Sequence, residues 1–354
     1  MLVDPRDSKV VYVAALGHLY TENAERGVFK TSDGGEHWTK ALFVDERTGA
    51  IDLVQDPSRP DILYAATWER ARAAGNFLES GPGSGIWKSV DAGRTWAKLS
   101  VGFPAGAAVG RIGLAIAASK PDTVYAVLAT QALRPDSEIF DEEAAPGELT
   151  ARRLRAIDAA GFARLDDGVV TRFLRRYDYP RSLKAARLKK DVKAGKISVA
   201  DLVAYLQDAN RDLFENDLIS TEVYRTDSGG AGWFRTHESR LDKVFYSYGY
   251  YFAAIAVDPS DAQHVYIQGL PMLTSRDGGK TWKGLDNRGV HVDYHAMWID
   301  PKSPRRLVIG NDGGLNASYD GGETWTKINN LPVGQFTTLA LDGADPYNIL
   351  GGLQ

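Results

Sequence analysis

Short apolar runs separated by turn residues dominate this chain. One arrangement recurs six times: two or three apolar residues, Asp-Pro or a similar group, a polar turn, then a second apolar run. It covers residues 2–15, 53–66, 115–128, 256–268, 298–310 and 339–351. The Asp-Pro cores are Asp4-Pro5, Asp56-Pro57, Asp258-Pro259 and Asp300-Pro301; residues 118–121 and 342–346 stand in their place in the other two copies. Each copy predicts a hairpin of strand A, a Pro-containing turn and strand B. Strand B is short and apolar, as in Val10-Val11-Tyr12-Val13, Ile62-Leu63-Tyr64-Ala65 and Val124-Tyr125-Ala126-Val127.

A second repeat alternates with the first. Thr31-Ser32-Asp33-Gly34-Gly35-Glu36-His37-Trp38 returns at 89–96, 275–282 and 318–325, and in a degraded form at 226–233, where Ser228 replaces the Asp. The shared pattern is Ser/Thr-x-Asp-x-Gly-x-x-Trp. The Ser/Thr and Asp side chains can accept hydrogen bonds from turn amides. Gly tolerates positive φ, and the Trp is expected to fold back and bury its ring against the sheet. Such a turn joins strand C to strand D and performs no chemistry itself. The unit is therefore four antiparallel strands. Successive Trp spacings of 58, 137, 49 and 43 residues give a period of about 40–50 residues with one long interruption, the signature of a β-propeller. Hairpins A–B are present for six blades and C–D for five. The expected fold is all-β, a propeller of four-stranded antiparallel blades with about five to six present. The unfinished sixth blade predicts that the chain is a fragment of a larger propeller of about seven blades.

The interruption has a different character. The expected division is 1–130, propeller blades; 131–221, a helical insertion in a B–C loop; and 222–354, further blades. Residues 147–160, 169–177, 182–194 and 198–214 read as helices. In the last, Ser198 with Asp201 forms a capping box, and Leu202, Tyr205, Leu206, Ala209 and Leu213 mark one apolar face. From Arg152 to Lys196 there are 14 Lys/Arg against 5 Asp/Glu, which reads as a solvated helical cap or as a basic docking surface.

The bulk composition narrows the function classes. The chain has 354 residues and a net charge of −4, which argues against general nucleic-acid affinity. It has no Cys, so disulfides and thiolate metal sites are excluded. No apolar run is long enough to span a membrane, and Met1-Leu2-Val3-Asp4-Pro5 is not a signal peptide.

Propeller geometry places A–B turns and Trp turns on one face, and B–C loops and D–A connections on the other. The unusual polar residues gather on this second, loop face. The first B–C loop carries His18, Glu25 and Arg26, and the second begins at Trp68. Strands entering from D–A connections carry Asp52, Arg111, the Tyr246–Phe252 stretch and the run His291-Val292-Asp293-Tyr294-His295, and Asp312 follows the fifth strand B. If 291–295 is extended, His291, Asp293 and His295 share one side; two imidazoles and a carboxylate suit a divalent metal, or they hydrogen-bond along the channel wall. His295 should then lie opposite Asn311 and close to Asp312. Tyr246, Tyr248, Tyr250 and Phe252 alternate as an aromatic stripe, suited to stacking on sugars or to packing between blades. Arg26 and Arg111 can clamp an anion or pair with a carboxylate. The loop-face carboxylates Glu25, Asp52, Glu69, Glu79, Asp293 and Asp312 include the residue types a glycosidase pairs across a scissile bond.

The repeated FKTSDGGEHW, WKSVDAGRTW and SYDGGETW hairpins, with Asp-Pro turns between them, resemble BNR (Asp-box) repeat propellers of the sortilin-like type. The stretches VYVAALGHLY, TGAIDLVQDPSRPDILYAATWE, VHVDYHAMWIDP and GNDGGLNASYDGGETW are similar to a bacterial, glycosyl-hydrolase-like group. The resemblance implies a secreted or periplasmic propeller that binds a glycan, peptide or partner protein, with no membrane span and no required cofactor; the alternative is a secreted glycoside hydrolase. Two departures bear on activity. The Arg-Ile-Pro motif of sialidases stands here as Arg111-Ile112-Gly113, and the position of a xyloglucanase-type catalytic Asp falls at Ala296. The Cys-rich region that stabilises sortilin-type receptors has no counterpart in this Cys-free chain.

Overall fold

The computed structural model describes residues 1–73, 76–135, 147–150, 153–154, 157–205, 218–285, 289–330 and 336–353. Among them the chain forms five four-stranded antiparallel sheets, each built in sequence order. Blade one is Leu2–Asp4, Asp7–Ala15, Gly27–Thr31 and Thr39–Leu42. Blade two is Thr48–Gln55, Leu63–Glu69, Gly85–Ser89 and Ala97–Leu99. Blade three is Val109–Ile116, Val124–Leu133, Leu218–Thr226 and Phe234–Arg235. Blade four is Ala254–Val257, Val265–Gln268, Met272–Ser275 and Lys283–Gly284. Blade five is Tyr294–Ile299, Leu307–Asn311, Gly314–Ser318 and Thr326–Ile328. A two-stranded hairpin, Phe336–Leu341 with Ile349–Leu353, follows. This is the expected propeller arrangement, with a sixth A–B hairpin where the sequence placed it. No described helix is long and apolar enough to cross a membrane.

The Trp turns are built as their residues dictate. In the first, Thr31 Oγ1 donates to Asp33 and accepts the Gly35 amide, while Asp33 accepts the His37 amide. The same set recurs around Ser89, Ser275 and Ser318. These bonds to the ionised form hold the Asp33, Asp91, Asp277 and Asp320 carboxyls well below the usual carboxylate range. In the degraded copy Thr226 still caps Gly230, but the carboxylate is replaced by a hydroxyl contact with Ser228. The Trp rings behave differently from expectation. Trp38 remains 44% exposed, whereas Trp233 is buried. What fixes four of the five is an indole N–H donated back to the turn's own glycine carbonyl, 2.8–3.2 Å away.

Every Trp turn is also tied to the A–B turn of a blade on the same face. The Gly34, Ala92, Gly229, Gly278 and Gly321 amides donate to the carbonyls of Lys9, Asp61, Asp122, Gln263 and Arg305, at 2.8–3.0 Å. The blades in turn are tied to one another by a buried tyrosine at the start of strand B. Tyr12 donates to Ala92 O, Tyr64 to Gly229 O and Tyr125 to Ala262 O, each in the next blade, at 2.8–3.0 Å. Tyr266 occupies the same place in blade four and is 1% exposed, but among the described residues its hydroxyl has no partner. Burial pushes the Tyr64 and Tyr125 hydroxyls up to about 12, so they stay protonated donors. Apolar clusters fill the space between blades; those joining blades two to three and three to four are large, and that joining four to five is small, with Met272, Tyr294 and Ile309 at its centre.

Among the described residues between the second and third strands of blade three lie four helices, α1 (Ala159–Ala163), α2 (Asp167–Arg176), α3 (Ala185–Lys193) and α4 (Val199–Tyr205). They share their own core around Phe162, Phe173, Leu188 and Leu202. The capping box forms: Ser198 N–H donates to Asp201 and the Asp201 amide to Ser198 Oγ. The helix expected over 147–160 lies partly outside the described residues; of the rest, 147–150 and 157–158 are not helical. Asp158 accepts the Gly161 amide and starts α1 at that end instead. The expected apolar positions Leu206, Ala209 and Leu213 lie outside the described residues.

The tyrosine ties make a testable contrast. Tyr64→Phe removes a satisfied buried hydroxyl and should cost about 1 kcal/mol; Tyr266→Phe removes an unsatisfied one and should cost nothing or stabilise slightly. Equilibrium urea unfolding of the two variants reads the difference. Equal losses would show that the hydroxyl bonds do not lock the blades.

Candidate functional site

The strand Leu63–Glu69 leaves blade two on the loop face and continues through Arg70 into a short ribbon, Ala71–Ala73 paired with Asn76–Leu78. Extended backbone sends alternate side chains to one side, so Trp68, Arg70 and Arg72 line up. Together with Leu19, Phe77, Arg111, Tyr250 and Tyr251 they enclose a cleft of about 340 Å³. Four different connections on the loop face therefore meet here: the first and second B–C loops, the entry to blade three and the entry to blade four.

The cleft wall is a row of aromatic rings. Trp68 meets Phe77 edge-on at 6.5 Å, Phe77 meets Tyr250 at 5.2 Å and 90°, and Tyr250 meets Tyr251 at 5.2 Å. The row extends to His295, 6.2 Å from Tyr251 and stacked on Phe252 at 5.4 Å and 20°. Trp68 itself is buried, its indole N–H donated to Glu79 O at 2.7 Å, so it supports the wall. Tyr251, 59% exposed, offers a face to solvent.

Three guanidiniums line the same cleft. Arg70 lies 5.2 Å from the Trp68 ring and Arg72 5.4 Å from that of Phe77. Arg111 donates to the Tyr250 and Tyr251 carbonyls at 2.8 and 2.9 Å, fixing the turn that carries those rings. Burial lowers Arg111 to about 10, opposed by the Asp52 charge. Asp52, held above the carboxylate range by burial, accepts the Leu53 and Leu114 amides at 2.8 Å and so staples blade two to blade three.

Arg26 is not the clamp for an incoming anion that the sequence suggested. It is 1% exposed, and its guanidinium donates to four backbone carbonyls, those of Arg47, Arg70, His18 and Thr21, at 2.7–3.1 Å. It gathers the first B–C loop, the entry to blade two and the root of the ribbon into one unit. His18 and Glu25 pair with each other at 3.0 Å on the exposed rim of that loop.

The run 291–295 is not extended. Asp293 adopts φ +67° and donates its amide to Leu270 O; the strand begins only at Tyr294. His291, Asp293 and His295 therefore do not share one side. Among the described residues the three-residue group with mutually close donor atoms is Asp33, Glu36 and His37, an exposed set within a Trp turn. His295 does approach Asp312, at 3.0 Å. Tyr294, however, pairs with Asn311 and Ala296 with Gly310, leaving His295 in a bulge. The stretch 246–252 is likewise turns and not a strand, with Tyr246 at φ +52°. Tyr248 packs on the core between blades three and four while Tyr250 faces the cleft. Sequence reasoning passed over Arg70, Arg72, Phe77 and Tyr251; the alternation Trp68-x-Arg70-x-Arg72 was the signal that marks two of them.

No protein-family model matches this chain, and no curated protein sequence does. Among solved structures, the chain is similar to an ancestral GH74 enzyme, with a TM-score of 0.50 and 14% identity over 92% of this chain and 32% of that one. It also aligns with the GH74 xyloglucanase from Xanthomonas campestris (TM-score 0.31, 14% identity, 94% of this chain and 52% of that one). A third match is YCF48 bound to D1 peptide (TM-score 0.39, 11% identity, 92% and 69%). The chain thus spans about a third to a half of the length of the two GH74 proteins. The first likeness shows the β-propeller fold.

Arg26→Gln should leave the four carbonyls without their shared donor and cost about 3 kcal/mol, read by equilibrium denaturation, with Arg26→Lys intermediate. Unchanged stability in both variants would mean that the loops hold together without it.

Proposed function

We propose that the chain is a ligand-binding propeller module whose loop face holds a glycan. The observation that carries this reading is the row of rings from Trp68 to Tyr251 lining one cleft. Flat aromatic faces beside hydrogen-bonding groups suit the apolar face and hydroxyl rim of a sugar ring. The recurring Ser/Thr-x-Asp-x-Gly-x-x-Trp turns support placing the chain with sortilin-like BNR propellers, and with that a secreted or periplasmic setting. Calorimetry against a panel of neutral and charged oligosaccharides tests the reading. Tyr251→Ala should weaken glycan binding roughly three- to tenfold. The reading falls if no glycan binds, or if a bound glycan is indifferent to Tyr251.

One observation favours a second reading, a glycoside hydrolase. Burial pushes the Glu79 carboxyl up to about 7, and its charge is felt by the Tyr250 phenol. A carboxylic acid still protonated near neutrality is the form a general acid needs. On this reading, reducing-end release is present below pH 7 and declines as pH rises through it. Glu79→Gln removes turnover and leaves binding. Binding with no release of reducing ends at any pH retains the module and discards the enzyme.

A further inference from the structure

The arginines of the cleft are two half-buried guanidiniums, Arg70 and Arg111, and one exposed, Arg72. Among the described residues, none of Arg70, Arg72 and Arg111 has a carboxylate within 4 Å. Arg70 Nε is buried with no hydrogen-bond partner among the described residues. Asp52, whose charge bears on Arg111, accepts two amides and pairs with none of the three guanidiniums. Arg26 and Arg72 both act on Arg70 as like charges, and Arg70 acts on Arg111. A protein whose net charge is −4 has thus collected unneutralised guanidiniums at the mouth of one cleft, against apolar walls where their charge is poorly screened.

We propose that the cleft takes an acidic polysaccharide, seating a ring-borne carboxylate or sulfate on Arg70 and Arg72 while the ring lies along Phe77, Tyr250 and Tyr251. This rests on the glycan reading above and adds the sign of the ligand. The guanidinium fork donates to planar or tetrahedral oxyanions from fixed directions. The charge of a bound oxyanion would relieve the repulsion among the arginines. Arg111 takes a positioning role, because its donors hold the Tyr250–Tyr251 turn. Arg72 is exposed and supports nothing else among the described residues, so it is the variant that tests the idea without disturbing the fold.

The experiment is isothermal titration of the whole chain with five polymers: polygalacturonate, its methyl ester, dextran sulfate, dextran and polyglutamate. Polygalacturonate or dextran sulfate should bind at least about tenfold more tightly than its uncharged counterpart, and which of the two does so tells carboxylate from sulfate. That preference should shrink as salt rises. Arg72→Ala should remove most of it, whereas Arg187→Ala, a charge on an exposed face of α3, should leave it intact. Equal affinity for charged and uncharged polymers sinks the acidic ligand and leaves the glycan reading standing. An undiminished preference in Arg72→Ala, or loss of it in Arg187→Ala, also sinks it. Polyglutamate bound as tightly as either acidic polysaccharide removes the glycan and this proposal together, as does binding of none of the five.

Discussion

A buried phenol hydroxyl that reaches across to a carbonyl of the next blade sets the geometry of this propeller. Tyr12, Tyr64 and Tyr125 each spend their single donor this way. Their acceptors sit in Trp turns or A–B turns, and those turns are already bonded to each other within a blade. A shift of one blade against its neighbour would strand both a buried hydroxyl and its carbonyl, at a cost comparable to losing a core contact. Lys30 and Lys88 donate to the same carbonyls of Ala92 and Gly229 from the neighbouring strand, so the acceptor end is held twice. Charged pairs repeat the connection at the rim, Arg6 to Asp61 and Arg59 to Asp122, but these are exposed and add little on their own.

With one face fastened by these bonds, the opposite face is free to carry irregular chain. It is not loose there either. Arg26 binds four carbonyls from three segments, Asp52 binds amides of two blades, and Arg111 binds two carbonyls of the Tyr250 turn. Glu69 accepts the Gly83 amide inside the second B–C loop, and a Cβ on Gly81 would lie 2.2 Å from that carboxylate. Charged side chains are thus used twice on this face, once as internal staples and once, at Arg70 and Arg72, with no carboxylate among the described residues paired to them. The contrast between the two uses is what separates scaffold from site.

The fold was legible because its determinants are local. Each Trp turn closes within eight residues, and each Asp-Pro turn is fixed by its own Asp, as where Asp56 accepts Ser58 and Arg59 amides. Spacing then counted the blades. The site was less legible because it depends on contacts far apart in sequence. Arg26 read as a candidate clamp, and its burial is decided by carbonyls 21 and 44 residues away. The runs 246–252 and 291–295 have a strand's alternation, yet connections between blades must turn, and Tyr246, Ala253 and Asp293 take up positive φ there. The sequence places Trp68, Arg111 and Tyr250 among the loop-face residues, and the structure lines one cleft with those three. Their meeting follows from the order of the blades, which no local pattern encodes.

The position of the cleft follows from the same packing. It draws its walls from blades one to four, above the two largest interblade cores. The His295–Asp312 pair lies beyond it on blade five, whose contact with blade four is small and whose tyrosine counterpart, Tyr266, makes no cross-blade bond. Binding that depends on several side chains held in fixed relation is favoured where the underlying blades cannot slide. The arginine and aromatic cleft meets that condition. The His295 region, joined to it only through the rings of Tyr251 and Phe252, does so less well, and this is the physical reason for assigning ligand recognition to the cleft and not to the histidine run.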